Sequence, residues 1–213
     1  NGDKSFVCEK EVLQEFYEDG CAILEHLQKY ANDFFPTKGF ELIGCEVPIL
    51  TNIKPGISFR GYIDIVIHDT KLDQYHIIDL KTSRSGWFDF QKKDIKKINQ
   101  ILLYKQYFGQ QFNVPIENIF PKFIILKRKI KDNPDFIIRR LSNFEPSHGT
   151  ISMKKVNESW NGFITECYDI NGTPKHDNIK PTPSESNCKY CPFREKPDLC
   201  SDSWYMRKTR KPE

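Results

Sequence analysis

No run of apolar residues in this sequence approaches the ~18 that a membrane-spanning helix requires. The first residues, NGDKSFVCEKEVLQEF, lack the apolar core of a signal peptide. The sequence also has no internal repeat and no long low-complexity tract. These absences argue against a membrane protein, a repeat protein and a secreted protein. We therefore expect a cytoplasmic protein without a membrane partner.

The number of cysteines and the net charge also bear on the class of protein. Seven cysteines in 213 residues are an odd number, and without a secretion signal we expect no disulfide framework. The net charge is only +3, but basic residues cluster at 92–97, 127–129 and 207–211. Such clusters suit the phosphate backbone of a nucleic acid. They are equally compatible with solvated protein surfaces.

Residues 61–81, GYIDIVIHDTKLDQYHIIDLK, have the pattern of a β-hairpin with a polar turn. If the hairpin folds about its midpoint, Asp64 lies opposite Asp79, with their side chains about 5 Å apart. Lys81 shares the face of Asp79, because side chains alternate along a strand. Two carboxylates and a lysine are thus predicted on one patch of sheet.

Carboxylates at this distance repel each other and raise each other's pKa unless a cation lies between them. Their oxygens are ligands that suit Mg²⁺ or Mn²⁺. Such a metal activates water and stabilises charge in phosphoryl transfer, and a nearby lysine can orient or deprotonate that water. The alternative is an exposed hairpin face with ordinary cross-strand charges, since Asp-x-Lys is a common tripeptide.

Three motifs follow one another at a specific spacing: G-x-x-D at Gly61 and Asp64, D-x-K at Asp79 and Lys81, and Q-x-x-x-Y at Gln100 and Tyr104. Together they resemble the PD-(D/E)XK nuclease superfamily, in particular its RecB, Cas4 and phage exonuclease branch. The resemblance implies an α/β fold like that of restriction endonucleases. Its core is a mixed sheet flanked by helices in the order αβββαβ, here with a C-terminal cysteine-containing segment.

The resemblance also implies roles for the motif residues. Asp64, Asp79 and the Leu80 carbonyl would hold the metal, and Lys81 would act on the attacking water. The Gln100 and Tyr104 pair would position the site and the DNA.

Two further metal ligands are suggested by the family. Its members carry a histidine on an early helix, and helical periodicity over 11–34 puts His26 at the edge of the inward-facing stripe. Gly20 is expected to kink or split this helix. Glu46, on the first predicted strand, is a candidate ligand or alternatively caps a sheet edge.

Several polar and basic residues after the hairpin are candidates for contacts with the DNA backbone: Thr82, Ser83, Arg84, Lys92, Lys93, Lys127, Arg128 and Lys129. The aromatic cluster of Trp87, Phe88 and Phe90 can either stack on unpaired bases or pack within the protein.

The remaining pattern predicts helices at 94–108 and 151–168, a turn at 132–134, and strands at 40–50, 59–68, 75–80, 120–126 and 136–141. Residues 1–170 would form the nuclease core with its N-terminal helix. Residues 171–213 would form a linker and a cysteine-containing segment that packs back on the core.

The C-terminal cysteines have the spacing C-x2-C-x8-C at Cys188, Cys191 and Cys200. Related nucleases hold a [4Fe-4S] cluster with three C-terminal cysteines and one near the N-terminus, for which Cys8 is the candidate. Zn²⁺ is the alternative, because sequence separates the two sites poorly. The last spacing is longer than usual in the family, so a degenerate site with free thiols is a third interpretation.

Together these features predict a Mg²⁺- or Mn²⁺-dependent deoxyribonuclease that binds single- or double-stranded DNA with little sequence specificity. By analogy with the branch we favour an exonuclease of recombination, repair or CRISPR-type processing, in a bacterial, archaeal or phage-infected cell. The alternatives are a structure-specific or nicking endonuclease, a non-catalytic nucleic-acid-binding module, and a subunit with a helicase or recombination partner.

Overall fold

The structure is a computed structural model that describes residues 8–35, 38–130, 139–176, 181–201 and 203–205. Two compact units are distinguished: one comprises residues 1–53 and 57–159, and the other comprises residues 54–56 and 160–213. Within the described part of the chain, no helix is long and apolar enough to cross a membrane.

The first unit contains a five-stranded sheet. Its strands are β1 (Phe40–Lys54), β2 (Ile57–Asp69), β3 (Gln74–Ser83), β4 (Ile119–Lys127) and β5 (Leu141–Phe144), and they lie side by side in this order. β2 and β3 are antiparallel, β3 and β4 are parallel, and β4 and β5 are antiparallel. The predicted mixed sheet is therefore confirmed. The predicted turn at 132–134 and residues 136–138 of the strand predicted at 136–141 lie outside the described residues, and β5 begins only at Leu141.

The helices follow the predicted order. They are α1 (Lys10–Lys29), the four-residue α2 (Asp89–Lys92), α3 (Ile95–Phe112), α4 (Thr150–Cys167) and the four-residue α5 (Glu185–Cys188). α3 connects the parallel strands β3 and β4, as such a pair requires. Its first turn is capped by Asp94, whose side chain accepts a hydrogen bond from the Lys96 backbone N–H. The expected core order αβββαβ is confirmed, with β5 and α4 added.

α1 differs from its prediction in three respects. It ends at Lys29, whereas the periodicity predicted a helix to residue 34. It runs through Gly20 without a break, whereas a kink was expected. Only its C-terminal half belongs to the apolar stripe, because Ile23 is buried but Val12 and Phe16 are exposed. Ile23 joins a core cluster with Ile67, Ile78, Ile124 and other apolar residues of the sheet.

Opposite faces of the sheet are covered by different helices. Ile78 contacts the cluster of α1, so its neighbours Ile77 and Asp79 point to the other face of β3. Tyr75, which shares that face, packs on Phe108 of α3 with ring centroids 5.8 Å apart. α3 therefore covers the face that carries Asp79.

α3 also buries a lysine. The Lys105 side chain is only 3% exposed, and its Nζ donates a hydrogen bond of 3.2 Å to the His148 carbonyl. Burial lowers the pKa of Lys105 to about 8, although the charge of Glu117 opposes the change. The charged amine is therefore destabilising in the folded protein.

This lysine predicts a pH-dependent stability. Between pH 8 and the ordinary lysine value of 10.5 the unfolded chain binds more protons, so the free energy of unfolding should rise with pH, by about 3 kcal/mol at most. Thermal unfolding from pH 7 to 10.5 should show this rise in the wild type. It should be reduced in Lys105→Met but not in Lys154→Met, whose lysine is exposed. Equal slopes for all three proteins would contradict the prediction.

Candidate active site

The β2–β3 hairpin brings the two predicted carboxylates together. The strands pair from Ile65 with Ile78 to Asp69 with Gln74, which is the register expected from the sequence. One further step along this register places Asp64 opposite Asp79. Side chains at directly opposed positions share one face of the sheet, so both carboxylates lie on the face covered by α3.

Asp79 is a buried charged group, only 3% exposed. Its Oδ2 lies 2.7 Å from Lys81 Nζ, as in an ion pair, and contacts no other donor among the described residues. Burial raises the pKa of the Asp79 carboxyl; Lys81 opposes this effect and the charge of Asp64 adds to it. The buried oxygen therefore lacks enough positive charge in its surroundings.

Asp64 is fixed by the backbone of the neighbouring strand. The Leu80 backbone N–H donates a hydrogen bond of 2.6 Å to Asp64 Oδ2. Among the described residues, the second oxygen of Asp64 accepts no hydrogen bond. This carboxylate is therefore held in place at the hairpin and retains an oxygen that can bind a further partner.

α3 completes the arrangement with a polar pair on one of its faces. Lys81 Nζ donates to Gln100 Oε1 at 3.5 Å, and Gln100 Nε2 donates to Tyr104 Oη at 3.1 Å. Gln100 and Tyr104 are neighbours on the helix because they lie one turn apart. A continuous series of polar contacts thus joins Asp79 to Tyr104.

The comparison with known proteins decides the family. A model of the PD-(D/E)XK nuclease superfamily matches residues 9–196. The chain belongs to this superfamily. No curated protein matches the chain. Members of the superfamily are nucleases that generally use divalent metals such as Mg²⁺ or Mn²⁺, so the substrate is a nucleic acid.

The carboxylates of this nuclease fit a divalent metal by their chemistry. Asp79 Oδ2 is a buried carboxylate oxygen whose one partner among the described residues is Lys81, and hard oxygen ligands are those that Mg²⁺ and Mn²⁺ prefer. Asp64 and Asp79 would hold the ion, and the family resemblance adds the Leu80 carbonyl. The described residues contain no group of three His, Cys, Asp or Glu side chains that could hold a metal by themselves.

His26 is not brought together with these carboxylates. Its helix packs on the cluster around Ile78, whereas Asp79 points to the opposite face of β3. Burial lowers the pKa of His26, and the charges of Arg139, Arg140 and other cations lower it further. His26 Nε2 is buried and has no hydrogen-bond partner among the described residues. Its role as a metal ligand stays a prediction.

Glu46 is exposed on β1 and has a positive φ of 52°. A residue other than glycine is uncommon in this conformation, which marks an irregular position within the strand. In the part of the chain that the structure describes, the Glu46 side chain forms no hydrogen bond or ion pair. Its role in the site also stays a prediction.

Two of the predicted DNA-binding residues are paired with acidic residues of another element. Lys129 Nζ lies 2.7 Å from Glu15 Oε1, and Arg128 Nη1 lies 3.9 Å from Asp19 Oδ2. Both acidic residues belong to α1. Sequence reading missed these pairs, because acidic positions on a helix do not indicate which strand they will face.

The other residues of this group vary in their surroundings. Ser83 Oγ donates to the Gly86 carbonyl at 2.7 Å and so stabilises the loop after β3. Lys92 is paired with Asp89 at 3.7 Å, and burial lowers the pKa of Lys127. The remaining members are exposed: Thr82, Arg84 and Lys93. Their contacts with DNA stay predictions.

All seven cysteines have free thiols in the structure. Cys188, Cys191 and Cys200 lie along successive turns, and the Cys191 N–H donates to the Cys188 carbonyl at 3.1 Å. As arranged in the described residues, they do not form a group that could hold a metal. The metal cluster that was predicted for Cys8 and these three cysteines stays a prediction.

Gly61 has a role in the site that the sequence reading did not identify. A Cβ atom at this position would lie 2.6 Å from Cε1 of Tyr104, too close for the ring to stay in place. The available signal was a glycine inside a strand, which often marks a close approach of another group. The motif glycine thus leaves the space in which Tyr104 supports Gln100.

Gly61→Ala should therefore displace Tyr104 and, through Gln100, disturb Lys81. We expect overpacking to cost about 1–3 kcal/mol of stability and misplacement to lower cleavage about 10- to 100-fold. Thermal unfolding and initial cleavage rates measure the two effects. Adding Tyr104→Leu should restore stability without restoring cleavage.

Gly20→Ala is the matched control, because nothing lies within 4 Å of a Cβ at that position. It should stabilise α1 slightly and leave cleavage unchanged. Wild-type stability and cleavage in Gly61→Ala would show that the close approach has no consequence.

Proposed function

We propose that the protein is a Mg²⁺- or Mn²⁺-dependent deoxyribonuclease of the RecB- and Cas4-like branch, and that it acts as an exonuclease. The single observation that carries the proposal is the buried Asp79 carboxylate, which lies beside Lys81 and across from Asp64. A module that only binds nucleic acid has no need of this combination. The preference for DNA ends rests on analogy with the branch.

In this proposal each side chain has a distinct task. Asp64 and Asp79 hold the metal, and the hydrogen bond from Leu80 N–H fixes the orientation of Asp64. A bound divalent ion supplies activation of water and neutralisation of phosphate charge. Lys81 donates a hydrogen bond to the attacking water or to a phosphate oxygen.

Gln100 and Tyr104 position the lysine. The Gln100 amide accepts from Lys81 Nζ on one side and donates to Tyr104 Oη on the other. Tyr104 is itself held between Gly61 and Phe59, whose ring packs edge-on at 6.1 Å. The lysine can thus keep a fixed position while the nucleic acid binds.

The nuclease proposal predicts metal-dependent cleavage that requires Asp79. End-labelled linear DNA, single- and double-stranded, is incubated without metal, with Mg²⁺ and with Mn²⁺. Asp79→Asn keeps the volume of the side chain but removes its charge, so cleavage should fall at least about 100-fold. Glu158→Gln, on the exposed side of α4, is the control and should cleave at the wild-type rate.

Circular single-stranded DNA of the same sequence separates the two modes of cleavage. An exonuclease should degrade the linear form and leave the circle intact, whereas an endonuclease should cut both. Metal-dependent cleavage that survives in Asp79→Asn would contradict the assignment of the site. Absence of cleavage by folded wild-type protein under all metal conditions would favour a binding module or a subunit that needs its partner.

A further inference from the structure

Phe88 and Phe90 form an exposed aromatic platform in the connection between β3 and α3. Their side chains are 63% and 73% exposed, and their rings are nearly parallel, with centroids 6.1 Å apart and planes inclined by 8°. The neighbouring Trp87 instead packs on Phe123 and Phe144 at 5.1 Å and 6.1 Å. Packing therefore explains Trp87 but leaves the two phenylalanines without a structural use.

The platform is held in a defined place. It lies in the connection between β3, which carries Asp79 and Lys81, and α3, which carries Gln100. Phe88 lies seven positions after Lys81, which is at most about 24 Å of extended chain. The Phe88 backbone N–H donates to Gln91 Oε1 at 3.0 Å. One bound strand of several nucleotides can therefore reach both the platform and the carboxylates.

The charge around the platform complements a phosphate backbone. Residues 84–97 contain five cationic side chains and two carboxylates, so this segment has a net charge of +3, the same as the entire chain. Lys97 and Lys92 lie 2.9 Å and 3.7 Å from Asp94 and Asp89. The other three cations, Arg84, Lys93 and Lys96, form no ion pair with any described residue.

We propose that the Phe88 and Phe90 platform stacks on unpaired bases of the DNA strand bound at the active site. This deepens the proposed function and rests on it. Stacking on an aromatic ring is possible for every base, so it adds affinity without sequence preference. The faces of paired bases inside a duplex are covered by their neighbours. The platform therefore favours single-stranded DNA or a frayed end, while the surrounding lysines and Arg84 contact its phosphates.

The experiment measures binding without cleavage, by fluorescence anisotropy in the presence of a metal chelator. The probes are a labelled 20-nucleotide oligothymidylate, an abasic strand of the same length, and a blunt-ended duplex. The variant Phe88→Leu/Phe90→Leu keeps apolar bulk but removes the π-faces. The control is Phe112→Leu, an exposed phenylalanine at the far end of α3, about 25 Å along the helix.

We expect the double variant to bind oligothymidylate about 10- to 100-fold more weakly than the wild type. Its affinity for the abasic strand and for the duplex should change less than about twofold. The wild type should bind the abasic strand as weakly as the variant binds oligothymidylate. Phe112→Leu should behave like the wild type with all three probes.

Unchanged binding of oligothymidylate by the double variant would overturn the proposal. An equal loss with all three probes would also overturn it, because the residues would then act through folding or general electrostatics. If the platform instead receives a protein partner, the variant binds every nucleic acid like the wild type. Failure of the nuclease proposal can be distinguished from failure of the stacking proposal. It would appear as the absence of cleavage with Mg²⁺ and Mn²⁺, whatever the binding measurement shows.

Discussion

The burial of the Asp79 carboxylate is the constraint on which the site depends. β3 is a central strand with helices on both faces, a location that disfavours charge. Lys81 offsets this cost only in part, because the pKa of Asp79 remains raised and Lys81 is the one partner of the buried Oδ2 among the described residues. A buried anion that is incompletely neutralised attracts a cation. The divalent metal that we propose would therefore be attracted by this remaining charge, rather than by a preformed cage of ligands.

The same constraint explains why three elements must be kept in register. β2 supplies Asp64 and Gly61, β3 supplies Asp79 and Lys81, and α3 supplies Gln100 and Tyr104. The parallel pairing of β3 with β4 requires a crossover, and α3 is that crossover, so the Gln100 face is brought over the carboxylates by the topology itself. Gly61 then sets how closely α3 approaches β2. A one-residue slip of β2 against β3 would move Asp64 to the face covered by α1 and separate it from Asp79.

The features that could be predicted from the sequence are local or periodic. The alternation of side chains along the hairpin and its polar turn were enough to predict the register that places Asp64 opposite Asp79. The order of the three motifs was enough to identify the superfamily. Contacts between distant segments were not accessible. Helical periodicity placed His26 at the edge of the inward-facing stripe of α1, but it could not show which face of the sheet α1 would cover. In the same way, Glu15 and Asp19 gave no sign that they would pair with Lys129 and Arg128.

The ion pairs of Lys129 with Glu15 and of Arg128 with Asp19 change the path that we expect for the nucleic acid. The sequence shows basic clusters of similar appearance at 92–97 and at 127–129, but in the structure the second lies against the acidic residues of α1. A phosphate backbone would have to displace those carboxylates to bind there, and each displacement exposes a charge that already has a partner. Arg84, Lys93 and Lys96 impose no such cost, because they have no ion-pair partner among the described residues, although Lys92 and Lys97 of the same segment are paired with Asp89 and Asp94. Electrostatics and the exposed aromatic rings therefore favour the same entry route, along the connection from β3 to α3.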